Sequence, residues 1–125
     1  MERQITANEW IIMESLWEES PKTLMQIVKA MADKTGWAKS TVTTMVTRME
    51  SKGLLRYEYG GKAKDIYPAV MRDEVARQET RSLIDKVYNG SVGLLVSSLV
   101  ENRLFTKHEI DELYAILRKA EQNEH

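Results

Sequence analysis

Hydroxyl side chains are concentrated in one stretch of the chain, KSTVTTMVTRME at residues 39–50, which holds four threonines and one serine. A hydroxyl group can form hydrogen bonds with a phosphate or a base edge, and a threonine methyl group can contact the thymine methyl group. A lysine and an arginine flank these hydroxyls, and both suit phosphate or guanine. These residue types predict a DNA-binding surface made of Lys39, Ser40, Thr41, Thr43, Thr44, Thr47 and Arg48.

The secondary structure of this stretch is not obvious, because β-branched residues disfavour a helix. At the helical period of about 100° per residue, however, the apolar side chains fall on one side: Val42, Met45, Val46 and Met49. The polar side chains that fall opposite are Ser40, Thr44, Thr47 and Ser51. A strand would have no wholly apolar face. We therefore predict a helix over residues 39–52, ended by Gly53, whose apolar side packs on two earlier helices.

Basic residues accompany the hydroxyl-rich stretch. Residues 34–64 carry seven basic and two acidic side chains, a net charge of +5, although the whole chain has a net charge of −1. Residues 71–125 carry eight basic and ten acidic side chains, a net charge of −2. A basic segment in the middle of the chain, followed by a weakly acidic C-terminal part, is expected when only the basic segment binds a polyanion. Chance clustering on a solvated face is the alternative explanation.

Two capped helices are predicted before the hydroxyl-rich helix. Thr6 with Glu9, and Thr23 with Gln26, have the spacing of capping boxes. Apolar residues at helical spacing follow each of these boxes. We expect the first helix at residues 7–18 and a short amphipathic second helix after the second box.

A β-hairpin is predicted after the third helix. Leu55, Tyr57 and Tyr59 alternate with charged residues, and a Gly-Gly pair then permits a tight turn. Lys62 and Lys64 fall near the tip of this hairpin, where they suit the DNA backbone or minor groove. Protection of an edge strand is the alternative role for these lysines. Three short helices followed by a basic hairpin are typical of a winged helix-turn-helix, which we place at residues 1–70.

Three further helices are expected in residues 71–125, at about 72–88, at about 91–104 and after a third capping box formed by Thr106 and Glu109. The middle helix is apolar on more than one side, and such surplus apolar surface is typical of an interface. We predict a helical dimerisation domain, and a symmetric dimer would present two DNA-reading helices to a palindromic site. The predicted interface residues are Val92, Leu95, Val96, Leu99, Val100, Leu113 and Leu117. The fold class is therefore mainly α with a small β-hairpin wing.

Several classes of protein are disfavoured by the composition. The 125-residue chain has no cysteine and two histidines, so thiolate chemistry is excluded and a histidine metal site is not expected. No phosphate-binding glycine loop, nucleophile elbow or histidine–carboxylate cluster occurs, and we predict neither an enzyme nor a cofactor. Without a long apolar run or a signal-peptide pattern, we expect a cytoplasmic protein that does not insert into a membrane.

Three segments resemble a known family: ITANEWIIMESLW, GWAKSTVTTMVTRMESKGLL and GGKAKDIYPAV. Together with the C-terminal helices they are similar to the penicillinase repressor family (BlaI/MecI), which has copper-responsive (CopY-type) relatives. The resemblance implies a homodimeric winged-helix repressor that binds a palindromic operator before β-lactamase and sensor genes. It also implies a membrane-bound β-lactam sensor as a partner, whose signal leads to proteolytic cleavage in the dimerisation domain.

The chain departs from the family pattern at three places. The β-lactam branch has Ser-Pro-Lys-Thr where this chain has Ala-Lys-Ser-Thr at residues 38–41. The copper branch binds Cu(I) through C-terminal cysteines, and this chain has none. The β-lactam branch is cut at an Asn-Phe bond, and the bond matched to it here is Asn102–Arg103. A family repressor that responds to another signal, or a winged-helix module that binds protein through residues 91–104 and Tyr57 or Tyr59, are the alternatives.

Overall fold

A computed structural model describes residues 4–123 of the chain. These residues form six helices and a two-stranded antiparallel sheet. The chain divides into two compact units between Gln78 and Glu79. None of the helices in the described range is long and apolar enough to cross a membrane.

The first unit begins with three helices: α1 (Ala7–Glu18), α2 (Leu24–Thr35) and α3 (Lys39–Ser51). The capping boxes predicted for α1 and α2 are confirmed. In each box the threonine hydroxyl accepts a hydrogen bond from the backbone N–H three residues later, and the side chain of that later residue accepts one from the threonine backbone N–H. Gly36 ends α2 with a φ of 77°, a left-handed conformation that glycine adopts without strain. The helical prediction for the hydroxyl-rich stretch is confirmed to within one residue.

The sheet consists of β1 (Leu55–Tyr59) and β2 (Lys64–Pro68), with Tyr57 opposite Ile66. Lys22, between α1 and α2, adds a bridge to the free side of β2: its N–H donates to the carbonyl of Ile66 at 3.1 Å and its carbonyl accepts the Ile66 N–H at 2.8 Å. The hairpin is therefore anchored to the helices by backbone hydrogen bonds as well as by apolar packing.

A single apolar core holds the first unit together. The buried side of α3 contributes Val42, Val46 and Met49, as its period predicted. The other buried members come from α1, α2, the hairpin and the start of the fourth helix: Ile12, Met13, Leu16, Ile27, Met31, Leu54, Leu55, Ile66, Val70 and Val75. Because the core contacts only the apolar side of α3, the polar side of α3 faces outward.

The fourth helix, α4 (Arg72–Val87), crosses the division between the units. The second unit continues with α5 (Val92–Glu101) and α6 (Lys107–Asn123). The expected helix at residues 91–104 is thus shorter than predicted, because Arg103 has a φ of 54° and breaks the helical run. The third capping box is present, with the Thr106 hydroxyl accepting from the Glu109 N–H at 3.1 Å. Neither α5 nor α6 has a fully buried side chain.

Candidate nucleic-acid interface

The outward side of α3 carries most of the predicted DNA-binding residues. The exposed members are Lys39, Ser40, Thr41, Thr44, Thr47 and Arg48. Thr43 is half-buried, because it lies nearer the apolar side of the helix. Six of the seven α3 residues predicted to bind DNA are therefore exposed, and they include two cations and no carboxylate.

The hydroxyl groups along α3 are bonded to the helix itself. Thr43 donates to the carbonyl of Lys39 at 2.8 Å, Thr44 to that of Ser40 at 2.9 Å, and Thr47 to that of Thr43 at 3.0 Å. Such a bond to the carbonyl four residues back is a conformation that suits threonine in a helix. It satisfies the hydroxyl hydrogens of these three threonines within the helix, and our sequence-based prediction did not include it. Because the acceptors are backbone carbonyls, the available signal was the presence of threonine inside a predicted helix.

A groove of about 370 Å³ runs beside this surface, between the start of α2, α3 and the hairpin. From α3 it is lined by Thr43, Val46, Thr47 and Glu50, and from the hairpin by Ala63, Lys64 and Ile66. Lys64 of the hairpin and Thr47 of α3 therefore line the same groove. Glu50 was not predicted here, although it lies seven residues after Thr43 and hence on the same side of the helix.

Aromatic rings and cations are stacked on the hairpin. Nζ of Lys64 lies 3.9 Å from the ring centroid of Tyr57, and that ring contacts Tyr59 edge to face at 5.8 Å. Tyr59 is 73% exposed. Lys62 is exposed at the tip, whereas Lys64 is half-buried by its contacts. Both lysines thus lie at the outer end of the wing, with Lys64 held by an aromatic neighbour.

An ion pair between a partly exposed lysine and a buried glutamate joins the end of α3 to α1. Nζ of Lys52 donates to both carboxylate oxygens of Glu9, at 2.8 and 3.0 Å. Burial by itself raises the pKa of Glu9, but the hydrogen bonds from Lys52 and from the Thr6 backbone, with the charge of Lys52, hold that pKa below its usual range. Glu9 is therefore a carboxylate near neutral pH, and it links the first turn of α1 to the residue that follows α3.

A second ion pair holds the beginning of α4 against α1. Nη2 of Arg72 lies 2.9 Å from Oε2 of Glu14. The guanidinium carbon of Arg72 lies 5.1 Å from the ring centroid of Trp17. Hydrogen bonds from Arg72 and from Trp10 lower the pKa of Glu14. The indole N–H of Trp17 donates to the carbonyl of Val70 at 2.9 Å. Trp10 and Trp17 thus have a structural role, within the first unit, at the point where the wing ends and α4 begins.

The predicted dimerisation residues lie in the second unit and are half-buried or exposed. Leu95, Val96, Leu99 and Leu113 are half-buried, and Val92, Val100 and Leu117 are exposed. An apolar groove of about 360 Å³ is lined by four of these predicted residues, Val96, Val100, Leu113 and Leu117. Its other lining residues are Phe105, Ile110 and Tyr114. Val92, Leu95 and Leu99 do not line this groove.

The bond between Asn102 and Arg103 follows the last turn of α5, and both residues are exposed. Asn102 caps that helix, and its side-chain amide donates to the carbonyl of Ser98 at 2.7 Å. Within the described range, residues 4–123, no three histidine or carboxylate side chains are grouped so as to hold a metal ion.

Comparison with known proteins identifies relatives that match most of the chain. The family model described as "Penicillinase repressor" matches residues 5–119. The chain is 28% identical over 116 residues to the methicillin resistance regulatory protein MecI of Staphylococcus aureus, covering 93% of this chain and 94% of that one. It is 27% identical over 116 residues to the penicillinase repressor of Bacillus licheniformis, covering 93% and 91%.

A solved structure matches the first unit in fold. It is the solution structure of the monomeric form of Bacillus licheniformis BlaI in complex with the blaP half-operator, with a TM-score of 0.52 and 24% identity. The match covers 57% of this chain and 87% of that one. The winged-helix prediction is thereby confirmed.

Proposed function

The chain belongs to the penicillinase repressor family, whose members are DNA-binding transcriptional repressors rather than enzymes, and from this premise we propose that it represses resistance genes by binding a palindromic operator. The matched relatives regulate methicillin resistance and penicillinase, as their names state. The proposed partner is double-stranded DNA, and the proposed location is the cytoplasm.

One observation carries this proposal most directly: the polar side of α3 is exposed along its length while its apolar side is buried in the core. A helix held in this way can enter a major groove, with its first turns toward the bases. Lys39, at the start of the helix, and Arg48, next to Thr47, are both exposed and are suited to phosphate or guanine. Lys64, across the groove from Thr47, is suited to the adjacent phosphates.

Homodimerisation through the second unit is part of the proposal. The helices α5 and α6 leave large apolar side chains at least half exposed, among them Val92, Leu94, Val100 and Leu117. Apolar surface of this extent is costly in water and is typical of an interface. Pairing two chains would place two copies of α3 on the two half-sites of a palindrome.

Relief of repression by proteolysis in the second unit is the finer part of the proposal. We place the cut at Asn102–Arg103, and we assign its trigger to a membrane-bound sensor of β-lactams. The exposure of this bond in the turn between α5 and α6 supports that assignment, because proteases cut exposed connecting segments. Incubation of the full chain with membranes from β-lactam-treated host cells, followed by mass spectrometry, tests it. An intact chain, or a cut at another bond, would contradict this assignment.

The repressor function is tested by selecting duplexes from a random library with the full chain and then measuring fluorescence anisotropy over a salt series. We expect one palindromic sequence to be enriched and to bind at least about 10³-fold more tightly than a scrambled duplex. Double replacement of Lys39 and Arg48 by Ala should abolish most of that preference, because each specific contact that is lost should reduce the binding free energy by about 1–3 kcal/mol. A module that binds protein would show no enrichment and no loss in the double variant.

A further inference from the structure

The middle of the α3 surface offers no hydroxyl hydrogen to a ligand. A threonine hydroxyl has one hydrogen, and those of Thr44 and Thr47 are donated to carbonyls of α3 at 2.9 and 3.0 Å. The first bond of this series reaches back to Lys39, the first residue of the helix. What Thr44 and Thr47 can present outward is therefore a methyl group and the hydroxyl lone pairs.

Donors for a ligand lie on either side of these two threonines. Lys39 begins the helix and Arg48 follows Thr47, and both of these side chains are exposed and cationic. They can supply hydrogen bonds to acceptors such as guanine O6 and N7 or phosphate oxygens. Between them, the surface at Thr44 and Thr47 accepts hydrogen bonds and contacts apolar groups.

The base pairs of DNA differ in whether they match such a surface. In the major groove both base pairs present two acceptors and one amino donor, which belongs to adenine in A·T and to cytosine in G·C, but only the A·T pair also presents the thymine methyl group. Guanine placed against Thr44 or Thr47 would be left with acceptors facing no donor, which is unfavourable in a water-excluding contact.

Resting on the proposed function, we infer that Thr44 and Thr47 are specificity-determining residues that select A·T base pairs through the thymine methyl group. The back-bonded hydroxyls fix the side-chain rotamers, so the methyl contacts are arranged before DNA binds. Base pairs read by Arg48 or Lys39 are the ones where guanine is favoured.

The experiment uses the full chain and the duplex enriched from the random library. Replacing thymine by deoxyuridine, one position at a time, removes a single methyl group from the DNA. We expect binding about fourfold weaker at one or two positions in each half-site, since burial of one methyl group contributes about that factor. Thr44→Ser and Thr47→Ser, which remove the methyl group from the protein, should weaken binding by a similar factor. For each variant, deoxyuridine at the position that its threonine contacts should cause no further loss of affinity.

Two further variants separate the methyl contact from a hydroxyl contact. Thr44→Val and Thr47→Val keep a methyl group and should retain the response to deoxyuridine. Thr35→Ser is the matched control, because Thr35 makes the same kind of bond, to the Met31 carbonyl at 2.7 Å, but lies at the end of α2. Its affinity and deoxyuridine response should be unchanged. If the hydroxyls instead rotate outward to donate to phosphate, the Val variants will bind weakly and deoxyuridine will have no effect, which overturns the inference.

The same data separate this inference from the proposed function. Failure to enrich any sequence would contradict the repressor proposal and, with it, the inference. Enrichment of a sequence that binds equally well with thymine and with deoxyuridine would leave the repressor proposal standing and overturn the methyl contact alone.

Discussion

Nζ of Lys52 lies 2.8 Å from Oε1 of Glu9, and this pair joins the residue that caps α3 to the first turn of α1. Only 3% of Glu9 is exposed, and Lys52 also donates to the carbonyl of Gln4 at 3.1 Å. A buried carboxylate is stable only when its lone pairs are satisfied, and here Lys52 and the Thr6 N–H satisfy them. The position of α3 thus depends on one charge pair in addition to apolar packing.

Removing the cation should therefore destabilise the protein. Lys52→Met keeps most of the side-chain length but leaves Glu9 buried without its charged partner. We expect a loss of about 2 kcal/mol in the free energy of unfolding, below the range for fully buried pairs because Lys52 is partly exposed. Urea denaturation at one fixed protein concentration measures it. The control is Arg81→Met, since both partners of the Arg81–Asp85 pair are more than half exposed, and it should change stability by less than about 0.5 kcal/mol.

Acid should weaken the fold through the same carboxylate. Because the folded-state pKa of Glu9 lies below its ordinary value of 4.5, the unfolded state binds the proton more readily. The stability that Glu9 contributes is fully present above that ordinary value and is lost as the pH falls through the lower, folded-state pKa. Urea midpoints measured between about pH 6 and about pH 3 should fall, and the fall should be shallower in Glu9→Gln than in the exposed control Glu58→Gln. Parallel curves for the two variants would contradict this assignment.

Local patterns predicted most of the first unit. The capping boxes, the helical period of α3 and the alternation of the hairpin each depend on residues within a few positions of one another. The bridge from Lys22 to Ile66 and the pair of Lys52 with Glu9 join residues more than 40 positions apart. Such pairs depend on how the elements pack, and no local pattern in the chain indicates them.

The exposure of the polar residues of α3 was predicted, but the direction of their hydroxyl groups was not. The exposed hydroxyl surface of α3 follows from the helical period, yet the residue types alone leave a threonine hydroxyl free to donate outward. The structure turns those of Thr44 and Thr47 onto their own helix. Similarly, α5 was predicted too long, because the left-handed conformation of Arg103 is not indicated by its residue type.

The wing should contribute to affinity without contributing to sequence preference. Lys64→Met removes a cation placed beside the α3 surface, so the slope of log affinity against log salt should fall by about 1 for all duplexes alike. Fluorescence anisotropy over a salt series, with enriched and scrambled duplexes, measures both slopes. Lys119→Met, on the exposed side of α6, is the control and should leave the slope unchanged. An altered preference among duplexes with an unchanged slope would assign Lys64 to base contact instead.

The proposed dimer should depend on the apolar groove of the second unit. Val100 lines that groove and is 54% exposed, so Val100→Asp places a charge at the interface without burying it in a monomer. We expect the variant to sediment as a monomer and to lose the affinity gained from binding two half-sites at once. Met71→Asp, at an exposed apolar residue of the first unit, is the matched control and should remain dimeric. Light scattering that gives the wild-type mass for Val100→Asp would contradict this interface, because an unpaired carboxylate is not tolerated in an apolar contact.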